Sequence, residues 1–184
     1  QGFFNTTHTP TFEGADRFKG VKFHSAEWRH DAELAGKRIA VIGNAATTLQ
    51  MAPPLAEVAS QLTIFQRSPS WTFINPEYAR EIRASEQWAI EHLPYYSGWN
   101  RTAVFNWTLD KMAMVMGYDP EWPQDGKSTS ALNEMSRQMA LANYQRHLGE
   151  RPDLLEKLLP DYPPYVKRPT IGSGNFFDAI RRPN

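Results

Sequence analysis

The chain has 184 residues, enough for one domain with a core and short for two. Twenty Lys and Arg against twenty Asp and Glu leave a formal net charge of +0, so no global field draws in a phosphate backbone or an anionic membrane, and neither nucleic acid nor membrane is expected as a partner. The absence of cysteine excludes disulfides, thiolate nucleophiles, iron–sulfur clusters and Cys-type zinc sites.

The most apolar tract, residues 102–117, carries Asp110 and Lys111 at its centre, which no membrane span tolerates there. The sequence opens at Gln1 without Met and without a basic and apolar leader, as expected of a processed chain or a fragment, and a cytoplasmic location is expected.

Residues 1–35 read as a connecting segment, because Pro10, Gly14 and Gly20 break any helical period. RIAVIG at 38–43 is a short run of β-branched and apolar residues, the pattern of a strand covered on both faces. The next stretch places Leu49, Ala52, Leu55, Ala56 and Ala59 at helical spacing, although Pro53 and Pro54 are expected to kink or split that helix. LTIFQRS at 62–68 reads as a second strand. Strand, helix and strand in so short a span form a βαβ unit with parallel strands.

Three helical stretches follow at 78–93, 102–117 and 130–149, with Leu132, Met135, Met139 and Ala142 forming the apolar stripe of the third. A short helix after Arg151 has Pro152 at its favoured first position. PTIGSG and FFDAIRRPN then return the chain toward the sheet. The fold class is therefore α/β: a Rossmann-like parallel sheet over 36–184 with a helical insertion at about 76–160.

The turn after the first strand is Gly43-Asn44-Ala45-Ala46-Thr47-Thr48, where a dinucleotide fold uses G-x-G-x-x-G/A. Only the first glycine is present. Ala45 adds one methyl where the pyrophosphate approaches, which is tolerable at negative φ, and Thr48 is bulkier than the packing position prefers. The second strand ends in Gln66-Arg67-Ser68, with no acid for a ribose 2′-hydroxyl; Arg67 has the fork that suits a 2′-phosphate, and equally reads as a solvated strand-end cation. Lys167 and Arg168 follow a Pro-rich loop, and on an extended segment they would point to opposite sides. The five histidines show no metal-ligand spacing, and no G-x-S-x-G elbow is present. Trp71, Trp88, Trp99, Trp107 and Trp122 read as core or interface anchors.

Phe18, Gly20, His24 and Trp28, in FKGVKFHSAEWR, match F-x-G-x-x-x-H-x-x-x-W at its full spacing just before the βαβ unit. With Gln66-Arg67-Ser68, Lys167-Arg168-Pro169, Phe176-Phe177 and Arg182 to Asn184 in order, the chain resembles the class B flavoprotein monooxygenases, especially the Baeyer-Villiger type and its 4-hydroxyacetophenone monooxygenase-like branch. Arg29 stands where that fingerprint ends in Pro or Asp, which leaves N- or S-oxygenation open beside Baeyer-Villiger oxidation.

The resemblance implies an NADPH- and FAD-dependent monooxygenase that inserts one oxygen atom from dioxygen into a ketone or heteroatom substrate. It further implies that residues 43–48 and Gln50 meet the NADP(H) pyrophosphate, that Arg67, Ser68 and Lys167 hold the 2′-phosphate, and that His24 and Trp28 tie the linker to the bound cofactor. Arg168 is implied as the catalytic arginine, stabilising negative charge on the oxygenated flavin and orienting the nicotinamide. No second Gly-rich loop for FAD is present, so this chain reads as the NADP(H)-binding domain alone, with the FAD domain absent, no metal, and no activity in isolation. Another reading is a non-catalytic nucleotide-binding or protein-interaction module whose helical region is a partner surface. A pyridine-nucleotide domain of a flavin or disulfide reductase is a third, disfavoured by the lack of cysteine and by the fingerprint.

Overall fold

The computed structural model describes residues 6–184, so the first five residues of the expected linker lie outside the described residues. After a 3-10 turn at Ser25–Glu27, the order is β1 (Arg38–Ile42), α1 (Ala46–Val58), β2 (Gln61–Phe65), β3 (Thr72–Ile74), α2 (Ala84–His92), α3 (Tyr96–Val115), α4 (Ala131–Leu148), α5 (Pro152–Leu158), β4 (Thr170–Gly172) and α6 (Asn175–Ile180). β1 pairs with β2 in parallel, from Arg38 opposite Gln61 to Ile42 opposite Phe65, as the βαβ pattern requires.

The return segment adds no strand to that pair, meeting it where the Asn184 carbonyl accepts from the Leu62 amide of β2 at 2.7 Å. β4 instead pairs in parallel with β3, Thr72 opposite Thr170 and Ile74 opposite Gly172, making a second two-stranded sheet. β3 escapes the sequence patterns because three residues are too few to display an alternation.

α1 is not split by its prolines. It runs through Pro53 and Pro54, which remove the amides that would have bonded to the carbonyls of Leu49 and Gln50. Its other face buries Thr48, Leu49, Ala52, Leu55 and Ala56 and packs on α6 and β4, so tertiary burial offsets the two missing bonds. Gln50 and Pro54 lie on the exposed side of the helix.

On α4 the structure reverses the expected stripe. Met135 and Met139 are exposed, whereas Asn133, Ser136, Ala140, Tyr144 and Leu148 are buried. This is possible because the polar members of that face are satisfied. Asn133 donates to the carbonyls of Val115 and Pro164, both at 3.0 Å, and accepts from the Thr129 amide at 3.3 Å. Ser130 caps the helix by accepting from the Asn133 amide at 3.2 Å, and Arg146 and His147 occupy its last turn.

The core joins α1, α4 and α6 through Leu49, Ala52, Trp71, Ala140, Tyr144, Leu148, Phe176 and Phe177. Trp71 and Tyr144, each 1% exposed, meet edge to face at 6.1 Å, and Tyr144 meets Phe177 in the same manner at 5.1 Å. Trp71 is thus a core anchor. Trp99 and Trp107 on α3 are 72% and 62% exposed, and α3 buries none of its side chains. No helix among the described residues is long and apolar enough to cross a membrane.

The Tyr144 hydroxyl accepts from the Thr72 amide at 3.1 Å and donates to the Ser70 carbonyl at 2.9 Å. Tyr144→Phe leaves both without that partner and is expected to cost about 1–3 kcal/mol at neutral pH, read by urea unfolding. Burial pushes the Tyr144 phenol up to about 12. Unfolded chains release that proton from about pH 10, so the stability Tyr144 contributes is complete below pH 10 and drains away as pH rises toward 12, by up to about 3 kcal/mol. In Tyr144→Phe this share of the alkaline loss disappears.

Candidate functional site

Gly43 closes β1 with φ +112, a conformation that favours glycine, and its amide donates to the Phe65 carbonyl at 2.8 Å. The chain then straightens: Ala45 precedes α1 with φ −86 and ψ −171, backbone that any residue adopts, so its methyl brings no strain to the loop. Ala45 makes no side-chain cap, and the first amides of α1, from Ala46 through Thr48, have no intrahelical acceptor. The Thr48 side chain is buried and its hydroxyl donates back to the Gly43 carbonyl at 2.9 Å, so the bulk at the packing position is used to hold the turn.

Asn44 fastens this loop to the end of β2. Its Nδ2 donates to Gln66 Oε1 at 2.6 Å and to the Ser68 carbonyl at 3.3 Å, while Gln66 Nε2 donates to the Lys157 carbonyl on α5 at 2.7 Å. The chain of amides thereby connects the loop, the strand end and the helical insertion. No local pattern in the sequence signals that the two amide atoms of Gln66 face different elements.

From the other side comes Lys167, whose ammonium donates to Ser68 Oγ at 3.4 Å and lies 4.2 Å above the ring of Tyr162. Arg67 is exposed and its guanidinium has no hydrogen bond or ion pair among the described residues. Arg168 is exposed beside Lys167, two residues before β4. Lys167 lies in a bend that follows a turn at residues 164–165, where Tyr165 adopts φ 67 and stacks on Phe73 at 5.2 Å. Arg67, Ser68 and Lys167 are thus brought to the strand end that carries the Asn44 strap. An uncapped helix N-terminus beside Arg67 and Lys167, neither of which forms an ion pair among the described residues, is an arrangement that binds anions.

The remaining predicted residues lie elsewhere. Gln50 donates to the Tyr78 hydroxyl at 2.6 Å and lines a cleft of about 350 Å³ with Pro53, Pro54, Gly172 and Phe176. Among the described residues, the hydrogen bond and ring contacts seen for the fingerprint residues fall within their own segment. The Phe18 ring folds over Gly20, where a Cβ would stand 2.5 Å from Phe18 Cζ; His24 Nδ1 accepts from the Ala26 amide at 3.1 Å; Trp28 meets Phe23 edge to face at 5.3 Å. No group of three or more His, Asp or Glu side chains among the described residues is placed to hold a metal ion.

With this geometry in view, comparison with known proteins gives a consistent result. Residues 1–79 match the flavin-binding monooxygenase-like family. The chain is similar to flavin-binding monooxygenases. It is 33% identical over 184 residues to an uncharacterized monooxygenase of Sinorhizobium fredii, covering 100% of this chain and 28% of that one. To a Baeyer-Villiger monooxygenase of Streptomyces coelicolor it is 32% identical over 178 residues, covering 95% of this chain and 31% of that one. Among solved structures, an oxidized steroid monooxygenase bound to NADP superposes with a TM-score of 0.67 at 25% identity, over 97% of this chain and 38% of that one. The chain spans about a third of the length of the curated relatives it matches.

Nothing lies within 4 Å of where a Cβ on Gly43 would stand, so Gly43→Ala meets backbone strain alone. A loss of about 1–2 kcal/mol in unfolding free energy is expected, and a smaller loss would show that the turn relaxes.

Proposed function

We propose that this chain is the NADP(H)-binding part of an FAD-dependent monooxygenase acting on a ketone or heteroatom substrate, with FAD held by a portion of the protein outside this sequence. The observation that carries the reading is the strand end where Arg67, without a partner among the described residues, stands beside Ser68 and the Lys167 ammonium, with the uncapped start of α1 strapped to the same segment by Asn44. The residues fit NADP(H). A 2′-phosphate needs paired cations and a hydroxyl without a competing acid; a pyrophosphate needs free amides and a loop that lets it approach, which Gly43 and the extended Ala45 permit.

In this reading the amides at 46–48 take the pyrophosphate, and Arg67, Ser68 and Lys167 hold the 2′-phosphate. Arg168 orients the nicotinamide and stabilises developing negative charge, while Gln50, His24 and Trp28 contribute from the helix and the linker. FAD, when bound, supplies the dioxygen chemistry. Residues 1–35 serve as linker and 36–184 as the binding domain, with its helical insertion at about 76–160.

The insertion suits a chain that packs against more protein. α3 exposes Trp99, Phe105 and Trp107, and α4 exposes Met135 and Met139. A covering FAD-binding portion is the occupant this reading assigns. The same surface favours a second reading, in which the helical region docks a partner and the nucleotide loop is silent.

Calorimetric titration of the intact protein with NADP+ and NAD+ separates the two. NADP+ is expected to bind at least about tenfold more tightly, and Arg67→Ala is expected to weaken NADP+ by about 10- to 100-fold while leaving NAD+ nearly unchanged. Equal losses for the two nucleotides would refute the phosphate assignment. Arg168→Ala is expected to spare affinity and abolish oxygenation.

A further inference from the structure

A lysine on a surface turn has a flexible four-carbon stem, and its ammonium is not fixed by chain geometry alone. Here it is fixed, and the feature that fixes it is an aromatic ring supplied by the Pro-rich loop. Lys167 Nζ lies 4.2 Å above the centroid of Tyr162 while donating to Ser68 Oγ at 3.4 Å, which uses one of its three donors in a hydrogen bond and keeps donor capacity for an acceptor outside the chain.

The ring is itself anchored at two ends. Its hydroxyl donates to the Pro69 carbonyl at 2.7 Å, and the Tyr162 carbonyl accepts from Nε1 of Trp71, also at 2.7 Å, with Trp71 buried in the core. Pro69 adjoins Ser68 and Arg67, so the platform under the ammonium is pinned to the segment that carries the other phosphate candidates. Burial holds the Tyr162 phenol above its ordinary range, so the ring remains neutral at working pH and adds no competing charge.

We propose that Tyr162 is a positioning residue for Lys167, holding the ammonium beside Ser68 so that it meets a 2′-phosphate, and thereby setting the preference for NADP(H) over NAD(H). The inference rests on the functional reading above. A role as a mere strut between the two loops would make Tyr162 equally important for both nucleotides; a role through Lys167 makes it important for one.

The test is a double-mutant cycle in the intact protein, titrated with NADP+ and NAD+. Lys167→Met is expected to lower NADP+ affinity about tenfold and to leave NAD+ unchanged. Tyr162→Leu is expected to lower NADP+ affinity about three- to tenfold with NAD+ within about twofold, Tyr162→Phe to retain most of the NADP+ affinity because the ring persists, and the Tyr162→Leu/Lys167→Met double variant to bind no more weakly than Lys167→Met alone. Should Tyr162→Leu fail to fold, Tyr162→pentafluorophenylalanine keeps the ring's shape and removes its negative face. NADP+ binding several-fold weaker than in Tyr162→Phe is then expected.

Additive losses in the cycle, equal losses for NADP+ and NAD+, or a fluorinated ring that binds NADP+ as well as Tyr162→Phe would each overturn the positioning role while leaving the phosphate site standing. An unchanged NADP+ to NAD+ ratio in Lys167→Met would overturn the phosphate site itself, and this inference with it.

Discussion

The segment joining β2 to β3 runs half-buried from one strand pair to the other, and its backbone carbonyls are matched by donors that arrive from elsewhere in the chain. Four consecutive carbonyls are matched in this way. Ser68 accepts from Asn44, Pro69 from the Tyr162 hydroxyl, Ser70 from the Tyr144 hydroxyl and Trp71 from the Thr170 amide. Each donor belongs to a different part of the fold: the glycine turn, the Pro-rich loop, α4 and β4. The strand end is therefore the place where the parts of the domain are registered against one another.

That constraint also explains why the cations gather where they do. Lys167 is far from Ser68 in sequence, yet the Tyr162 ring and the Thr170 pairing deliver it to the same strand end. The glycine turn is delivered by Asn44 and by the Gly43 amide on Phe65. None of these groups needs a ligand to be brought together, so for the proposed nucleotide the ordering costs of binding are met by the fold.

The parts legible in sequence were those with a local signature. β1 and β2 were visible as short apolar runs, and α1 in the spacing of Leu49, Ala52, Leu55 and Ala56, because burial on one face imposes a period. The strand-end residues Arg67 and Ser68 and the cation pair at 167–168 could be read from residue type. What stayed hidden depends on neighbours distant in the chain. The Met135 and Met139 stripe points outward because Asn133, Ser136 and Tyr144 find partners inward. The turn at Tyr165 is stabilised by Phe73, and the two roles of Gln66 are set by Asn44 and Lys157. The fingerprint from Phe18 to Trp28 was the most specific pattern in the sequence, yet its contacts are local.

The four matched carbonyls carry a consequence for how the molecule comes into being. The Pro69–Tyr162 bond spans 93 positions of the chain and the Ser70–Tyr144 bond 74, so the strand end belongs to a fold of high contact order, whose loop-closure entropy is met before those bonds form. On a ribosome, the glycine turn, α1 and Arg67 emerge long before Tyr144, Tyr162 and Thr170 do. The early portion can pair β1 with β2, but the segment after it has no donors for its carbonyls until the late portion arrives. The strand end is thus completed only once the segment from Tyr144 to Thr170 has been made, and a shorter nascent chain carries the glycine turn without the donors that register it.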